Sequence, residues 1–358
     1  MITFFLLTLP IVSSYPIIIV PGIGGSVLKN IQNDERIWPP TYKWLFYRED
    51  WEKLMKIDYN VSTGQVIYNE LIQSAPIGNK ESIRVVNRIT EWLTGSPFYN
   101  RFIDSFPQDK VFALPYDFRL IGFDFYLNKF FKKTKIFLEQ REKSDVICHS
   151  LGGLVFHLFL TTYVSKEWKD KHINKLIFIN VPFGGSFKGI ESLLLDRVTF
   201  PFFKNKKMNY LGIYSGFLWC LPNELLYLDR PILNAYDREY NCMNFIELVA
   251  NKDKINYILD KYIRSKRSDV FESPGTSCYI IYCSGVNTIN KIYKKERELE
   301  YEFCDGDGTV TNESLLVPQK WNETALFIKL EGDHCSVLSN KKFIKLINSI
   351  LNDEVYLT

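Results

Sequence analysis

The chain has 358 residues, 46% of them hydrophobic and 24% charged, with a formal net charge of +3. This is the composition of a globular protein with a sizeable core, and it excludes disordered and collagen-like chains. Near balance between 44 basic and 41 acidic residues, without a long basic stripe, excludes a dedicated nucleic-acid binder. No apolar run reaches the ~18 residues of a membrane span, which excludes a polytopic membrane protein.

Taken in chain order, the first element is an apolar stretch from Ile2 to Val12 followed by the small residues Ser13 and Ser14. It predicts a secretory signal over residues 1–14, cleaved before Tyr15. The alternative is a strand continuing into Ile17 to Val20, which Pro10 and Pro16 oppose. Pro16 to Val20 is a short apolar run ended by Pro21-Gly22, as expected of a fully buried strand. The stretch Trp38 to Trp51 then packs six aromatics into fourteen residues and reads as an insertion. A second strand is expected at Val111 to Leu114, and an amphipathic helix from Asn128 to Glu142. A buried strand at Asp145 to Cys148, a helix at Gly152 to Ser165 and a strand at Lys175 to Val181 follow. Asp196 to Tyr227, rich in aromatics and lysines, reads as a second insertion. Strands at Cys278 to Cys283 and Leu326 to Leu330 and a last helix at Lys341 to Leu351 complete the pattern. Strand–helix alternation of this kind implies an α/β fold, with a mostly parallel central sheet and helices on both faces.

The seven cysteines include no C-x-x-C pair, so neither a zinc ribbon nor a redox motif is expected. Cys278 and Cys283 fall on opposite faces of one strand, about 16 Å apart at ~3.3 Å per residue, beyond disulfide reach. Asn60, Asn312 and Asn322 each open an Asn-x-Ser/Thr sequon, in keeping with passage through the secretory pathway.

The chemistry concentrates in Val146-Ile-Cys-His-Ser-Leu-Gly-Gly153. A buried strand ends, Ser150 sits two residues before a glycine, and a helix begins. Such a strand–turn–helix presents a serine hydroxyl above a sheet as a nucleophile. The plainer alternative is a serine that merely caps the helix. Cys148 stands where this motif usually has its first glycine, and its small size is compatible with the turn. Gly152 relieves crowding between strand and helix. The N–H of Leu151, at the helix start, points where an oxyanion would form.

A serine nucleophile needs a base. Of the four histidines, His149 should diverge from the hydroxyl beside it, His157 lies two turns into the helix, and His172 sits on a charged, solvated stretch. His334 follows a late strand and precedes the last helix, where a base is needed in the chain order serine, acid, histidine. The acid is expected in Asp305-Gly-Asp-Gly-Thr-Val310. Asp307, between two glycines, is the candidate and Asp305 the alternative. Read as a calcium loop, this segment fails at Thr309, Val310 and Leu316. A second oxyanion donor is expected from Val20-Pro-Gly-Ile-Gly-Gly-Ser26, at the N–H of Ile23. The spacing of these glycines does not fit a dinucleotide-binding turn.

Together these segments resemble the lecithin:cholesterol acyltransferase family, which includes lysosomal phospholipases. The matching landmarks are Pro16-Ile-Ile-Ile-Val-Pro-Gly22, Pro115-Tyr-Asp-Phe-Arg119, His149-Ser-Leu-Gly152, Trp168-Lys-Asp-Lys171, Pro182-Phe-Gly-Gly185 and Gly306-Asp-Gly-Thr-Val310. They hold their order from about Pro16 to Leu351. The resemblance implies an α/β-hydrolase fold over residues 15–358, with Ser150, Asp307 and His334 as the triad and the amides of Ile23 and Leu151 as the oxyanion hole. It implies a membrane-docking subdomain over about 31–95, with Trp38, Trp44, Phe46 and Trp51 as its lipid contacts. It also implies a lid or cap over about 187–275, mobile near Asp196 to Gly216. The activity implied is removal of an acyl chain from a phospholipid and its transfer to a lipid hydroxyl or to water. The rivals are another serine esterase or peptidase and a catalytically inactive lipid binder. The expected partner is a phospholipid membrane or lipoprotein-like surface, the expected state a monomer, and the compartment extracellular or lysosome-like. No metal and no cofactor are called for. The chain departs from the family in lacking any cysteine between Tyr15 and Asp145 to close the docking loop, and in carrying Ile23 where the lysosomal relatives have Asp. Asp117 and Arg119 are expected to form a buried structural pair.

Overall fold

The computed structural model describes residues 14–354 except 42, 44–45, 85–98, 199–205, 208–212, 229, 297 and 322–324. The expected signal segment up to Ser13, Trp44, Asn322 and residues 199–205 and 208–212 of the expected lid therefore lie outside the described residues.

Six apolar runs form the central sheet. Its strands are β1 (Ile17–Val20), β2 (Val111–Ala113), β3 (Ser144–His149), β4 (Ile173–Ile179), β5 (Cys278–Ser284) and, further along the chain, Ala325–Glu331. Every neighbouring pair is parallel, and the order across the sheet is Ala325–Glu331, β5, β4, β3, β1, β2. The strands are apolar at nearly every position because both faces are covered. Ile18, Val20, Val146, Cys148, Leu176 and Phe178 feed one core, while Ile17, Ile19, Ile147, Ile177 and Ile179 feed the other. Helices α1 (Asp124–Glu139) and α2 (Leu151–Thr162) cover the first face, and the C-terminal helix Lys341–Leu351 covers the second. Cys278 and Cys283 fall in different cores, on opposite faces as their odd spacing requires, and none of the seven cysteines forms a disulfide.

The amphipathic helix begins four residues earlier than periodicity suggests, at Asp124, whose carboxylate lies in the first turn. A hairpin was also missed. Strands β6 (Val286–Lys294) and β7 (Leu299–Gly306) pair antiparallel and extend a second sheet with Leu233–Ala235 and Arg238–Tyr240. Numbered in the same series, Ala325–Glu331 is β8. Helix α3 is Phe187–Leu195 and the C-terminal helix is α4. The hairpin delivers the Asp-Gly-Asp-Gly segment to the carboxyl edge of the sheet.

Between β1 and β2 the chain forms two small sheets. One joins Leu28–Asn30 with Arg36–Trp38 and Ile72–Ser74; the other pairs Ile57–Asn60 with Gln65–Tyr68. Here the expectation for Trp38 and Trp51 is corrected. Both are buried, their rings stack at 6.3 Å, and their indole N–H groups donate to the Gly24 and Ile37 carbonyls at 2.7 Å. A buried indole with its polar edge satisfied is a core residue, not a lipid anchor. Phe46 is different: it is 82% exposed. Arg119 and Asp117 form the expected buried pair at 2.7 Å, and Arg119 also donates to the Ile72 carbonyl, which ties this segment to the sheet. No helix among the described residues is long and apolar enough to cross a membrane.

Candidate active site

β3 runs into a turn at Ser150, and α2 starts at the next residue. Ser150 has φ +52°, a left-handed backbone that L-residues rarely adopt and that costs about 1–3 kcal/mol. Packing enforces it. A Cβ on Gly152 would lie 2.4 Å from the Pro21 carbonyl oxygen, and one on Gly153 would lie 2.1 Å from a Val181 methyl. The helix can therefore press against β1 and the end of β4 only with glycine at both positions. This is a sharp strand–helix elbow that a simple N-cap does not need, and no capping bond from the Ser150 side chain is formed.

Three distant side chains converge on that turn. His334 Nε2 lies 2.9 Å from Ser150 Oγ, and His334 Nδ1 lies 2.6 Å from Asp307 Oδ2. A carboxylate only accepts, so Nδ1–H donates to Asp307 and Nε2 is left to accept from the serine hydroxyl. The other oxygen of Asp307 accepts from the amides of Thr309 and Val310 at 2.9 and 2.6 Å, and the carboxylate is fully buried. His334 N–H also donates to the Asp307 carbonyl at 2.9 Å, so ring and backbone are held from the same residue. Asp305, the alternative acid, is committed elsewhere. Its oxygens accept from Ser284 Oγ, Asn312 Nδ2 and the Gly285 amide.

The loop after β1 approaches from the other side. A Cβ at Gly22 would lie 2.9 Å from that of Ser150. Among the described residues, the N–H groups of Ile23 and Leu151 have no hydrogen-bond acceptor. A cavity of about 240 Å³ opens over this point, lined by Ile23, Ser150, Phe217, Val310 and His334. A larger cavity of about 540 Å³ lies between the small sheets and α1 and contains none of the three converging residues.

The lecithin:cholesterol acyltransferase family model matches residues 99–242, which carry the elbow and the strand beyond it. Mouse phosphatidylcholine-sterol acyltransferase is 25% identical over 386 aligned positions, covering 94% of this chain and 85% of that protein. The chain is similar to the lecithin:cholesterol acyltransferase family. A lecithin-cholesterol acyltransferase-like protein of Arabidopsis thaliana aligns over 94% of the chain at 22% identity, covering 75% of that relative. Rat lysosomal phospholipase A and acyltransferase is 25% identical over 58% of the chain and about half, 53%, of its own length. A solved structure of the Tle4–Tli4 complex shares the fold across 96% of the chain and 99% of its own, at a TM-score of 0.54 and 13% identity. The parallel sheet and the elbow give the chain an α/β-hydrolase fold.

Other histidines are placed differently from one another. His149 turns away from Ser150, as expected, and burial beside His334 lowers its pKa to about 3. His157 is buried against Trp321, and burial lowers its pKa to about 4. His172 was expected on a solvated face, but it is buried and packs on Trp168 at 4.8 Å because its helix folds back onto α2. Asn312 is also corrected as a glycosylation acceptor: its Nδ2 is engaged with Ser284 and Asp305, and the Ser314 of its sequon is fully buried. Asn60 is exposed, its oxygen accepting from the Ser62 and Thr63 amides in a turn.

Two residues at this site escaped sequence reasoning. Asn180, at φ +47° just after β4, donates to the His334 carbonyl at 3.2 Å and accepts from the Cys283 amide at 2.8 Å. An asparagine ending a buried strand was a usable signal, since it tolerates the left-handed region. Tyr99 places its hydroxyl 2.6 Å from Gly22 N and 2.7 Å from His149 Nδ1. Nothing local in the sequence marks it.

Proposed function

We propose that the chain is a phospholipid acyltransferase and phospholipase A working through a serine acyl-enzyme, as the names of its relatives suggest. One observation carries this reading: His334 spans Ser150 Oγ and Asp307 at 2.9 and 2.6 Å in a cavity that Ile23 also lines. Ser150 Oγ attacks the ester carbonyl carbon while its proton passes to His334 Nε2. Asp307 holds the imidazolium, and the N–H groups of Ile23 and Leu151 receive the oxyanion. Collapse breaks the bond to the glycerol oxygen, which takes the proton from Nε2 and leaves as a lysophospholipid. An acceptor hydroxyl then loses its proton to Nε2 and attacks the acyl carbon, and Ser150 departs with that proton. Water as acceptor yields a fatty acid; a sterol or other lipid alcohol yields a new ester. The chemistry calls for no metal or cofactor.

The lining of Ile23, Phe217 and Val310 suits an acyl chain. Exposed Phe46, Tyr47, Ile31 and Ile67, in the segment between β1 and β2, suit contact with a phospholipid or lipoprotein surface. We place the protein in the secretory pathway, as a monomer, with an extracellular or lysosome-like destination.

The test is incubation with labelled phosphatidylcholine vesicles, with and without sterol, followed by mass analysis of products. Lysophospholipid with fatty acid or steryl ester is expected, and Ser150→Ala should form neither. Turnover of short soluble esters alone, with vesicles untouched, would refute the phospholipid reading. Failure of folded protein to react with a fluorophosphonate would refute the serine mechanism.

A further inference from the structure

Besides the converging triad, three backbone segments must keep fixed positions for this chemistry: the Gly22–Ile23 loop, the end of β3 that carries Ser150, and the loop that carries His334. A chain of two buried side chains links all three. Tyr99 is 1% and His149 4% exposed. Gly22 N–H donates to Tyr99 Oη at 2.6 Å, so the hydroxyl's own proton is directed to His149 Nδ1 at 2.7 Å. His149 Nε2 lies 3.0 Å from the His334 carbonyl oxygen, which can only accept. Every donor in the series therefore points the same way, from Gly22 through Tyr99 and His149 to His334. Burial keeps the phenol protonated and the His149 ring neutral, so the direction does not reverse. Asn180 supplies a second donor to the same carbonyl.

We propose that Tyr99 and His149 are positioning residues that clamp the oxyanion loop to the backbone of the base. The Tyr99 hydroxyl fixes the Gly22 amide, and with it the adjoining Ile23, which lines the cavity. His149, the residue before the nucleophile, passes that constraint through β3 to the His334 backbone. Both side chains border the cavity over Ser150 but are almost fully buried, and they act through the backbone segments they hold. Their effect is to hold donors and base at the separation the tetrahedral intermediate requires, where a shift of about 1 Å can cost ~100-fold in rate. The proposal rests on the serine acyl-enzyme reading above.

Tyr99→Phe tests it with minimal change in packing. On a soluble p-nitrophenyl ester, kcat per fluorophosphonate-titrated site should fall about 10- to 100-fold with KM changed less than about threefold. Affinity for a trifluoromethyl ketone, which forms an oxyanion on Ser150, should fall by the same factor as kcat/KM, while a non-hydrolysable ether lipid should bind unchanged. His149→Gln, which keeps a donor for the His334 carbonyl, should retain more activity than His149→Leu; this pair decides the matter if Tyr99→Phe fails to fold. Normal kcat per titrated site and normal ketone affinity in folded Tyr99→Phe would overturn the clamp. So would a loss confined to the number of titratable sites, which a merely structural role produces. Wild-type protein that no fluorophosphonate labels would instead overturn the serine reading beneath it.

Discussion

Ser150 sits in a backbone conformation that most side chains avoid, and the surrounding packing maintains it. Two consequences can be measured at this scale. Ser150→Gly removes the Cβ from a φ of +52° and should raise stability by about 1 kcal/mol in urea unfolding, whereas Ser150→Ala should not; both should be inactive. Asp307→Asn keeps the shape but lets the side chain donate toward His334, favouring the wrong tautomer, so kcat should fall by about 10⁴. His334→Ala should cost as much as Ser150→Ala, because members of such a unit do not contribute separately. A His334→Ala variant near wild-type turnover would show that the base lies elsewhere. Asp307 surpasses Asp305 for a reason visible at this scale. Two amides from its own turn orient the Asp307 carboxylate toward His334, while Asp305 is spent on Ser284, Gly285 and Asn312.

At the scale of elements, the decisive unit is β3, the turn and α2. Helix and strand come close because Gly152 and Gly153 remove the side chains that would meet Pro21 and Val181. A second joint holds the segment between β1 and β2 to the sheet. Arg119, fully buried, pairs with Asp117 and donates to the backbone of Leu54, Met55 and Ile72. Arg119→Ala leaves a buried carboxylate and several carbonyls unpaired, which should destabilise the fold by about 3–5 kcal/mol. Because Arg119 makes no bond to the triad, kcat per titrated site should stay unchanged in the fraction that folds. A loss of kcat without loss of stability would contradict this structural role.

For the whole molecule, stability should depend on pH through its buried histidines. Burial lowers the pKa of His149 from 6.5 to about 3, of His157 to about 4, and lowers that of His172. The unfolded chain takes up protons near pH 6.5 while the folded rings remain neutral. Protonation therefore favours unfolding between pH 6.5 and about 3–4, and stability falls as pH falls through that window, by about 1.4 kcal/mol per unit for each ring held neutral. Above pH 7 these rings contribute no slope. Thermal unfolding followed by circular dichroism should show Tm dropping from pH 6.5 to 4.5, and His157→Gln should flatten the decline by one proton's worth. A Tm independent of pH across that range would show that the rings are not held neutral.

Some of this was legible in the sequence because its cause is local. A short apolar run bounded by turn residues reads as a strand buried on both faces, and with Pro21-Gly22 after β1, the Ser150 turn after β3 and Pro182 after β4, all three were readable within two residues. The elbow was readable because close approach of strand and helix demands glycine where Gly152 stands. The candidates Ser150, Asp307 and His334 could be named from turn chemistry and chain order alone. Tertiary structure decided the rest, because contact between residues 184 positions apart follows from strand order and not from neighbours in the chain. It set Asp307 rather than Asp305 against His334, and it buried Trp38 and Trp51 in a stretch whose aromatic density suits a core as well as a lipid surface. It also turned Asn312 inward and brought Tyr99 between the Gly22 amide and His149. The hairpin β6–β7 escaped for the same reason: its pairing is read from partner strands, and its polar, half-exposed residues carry little period of their own.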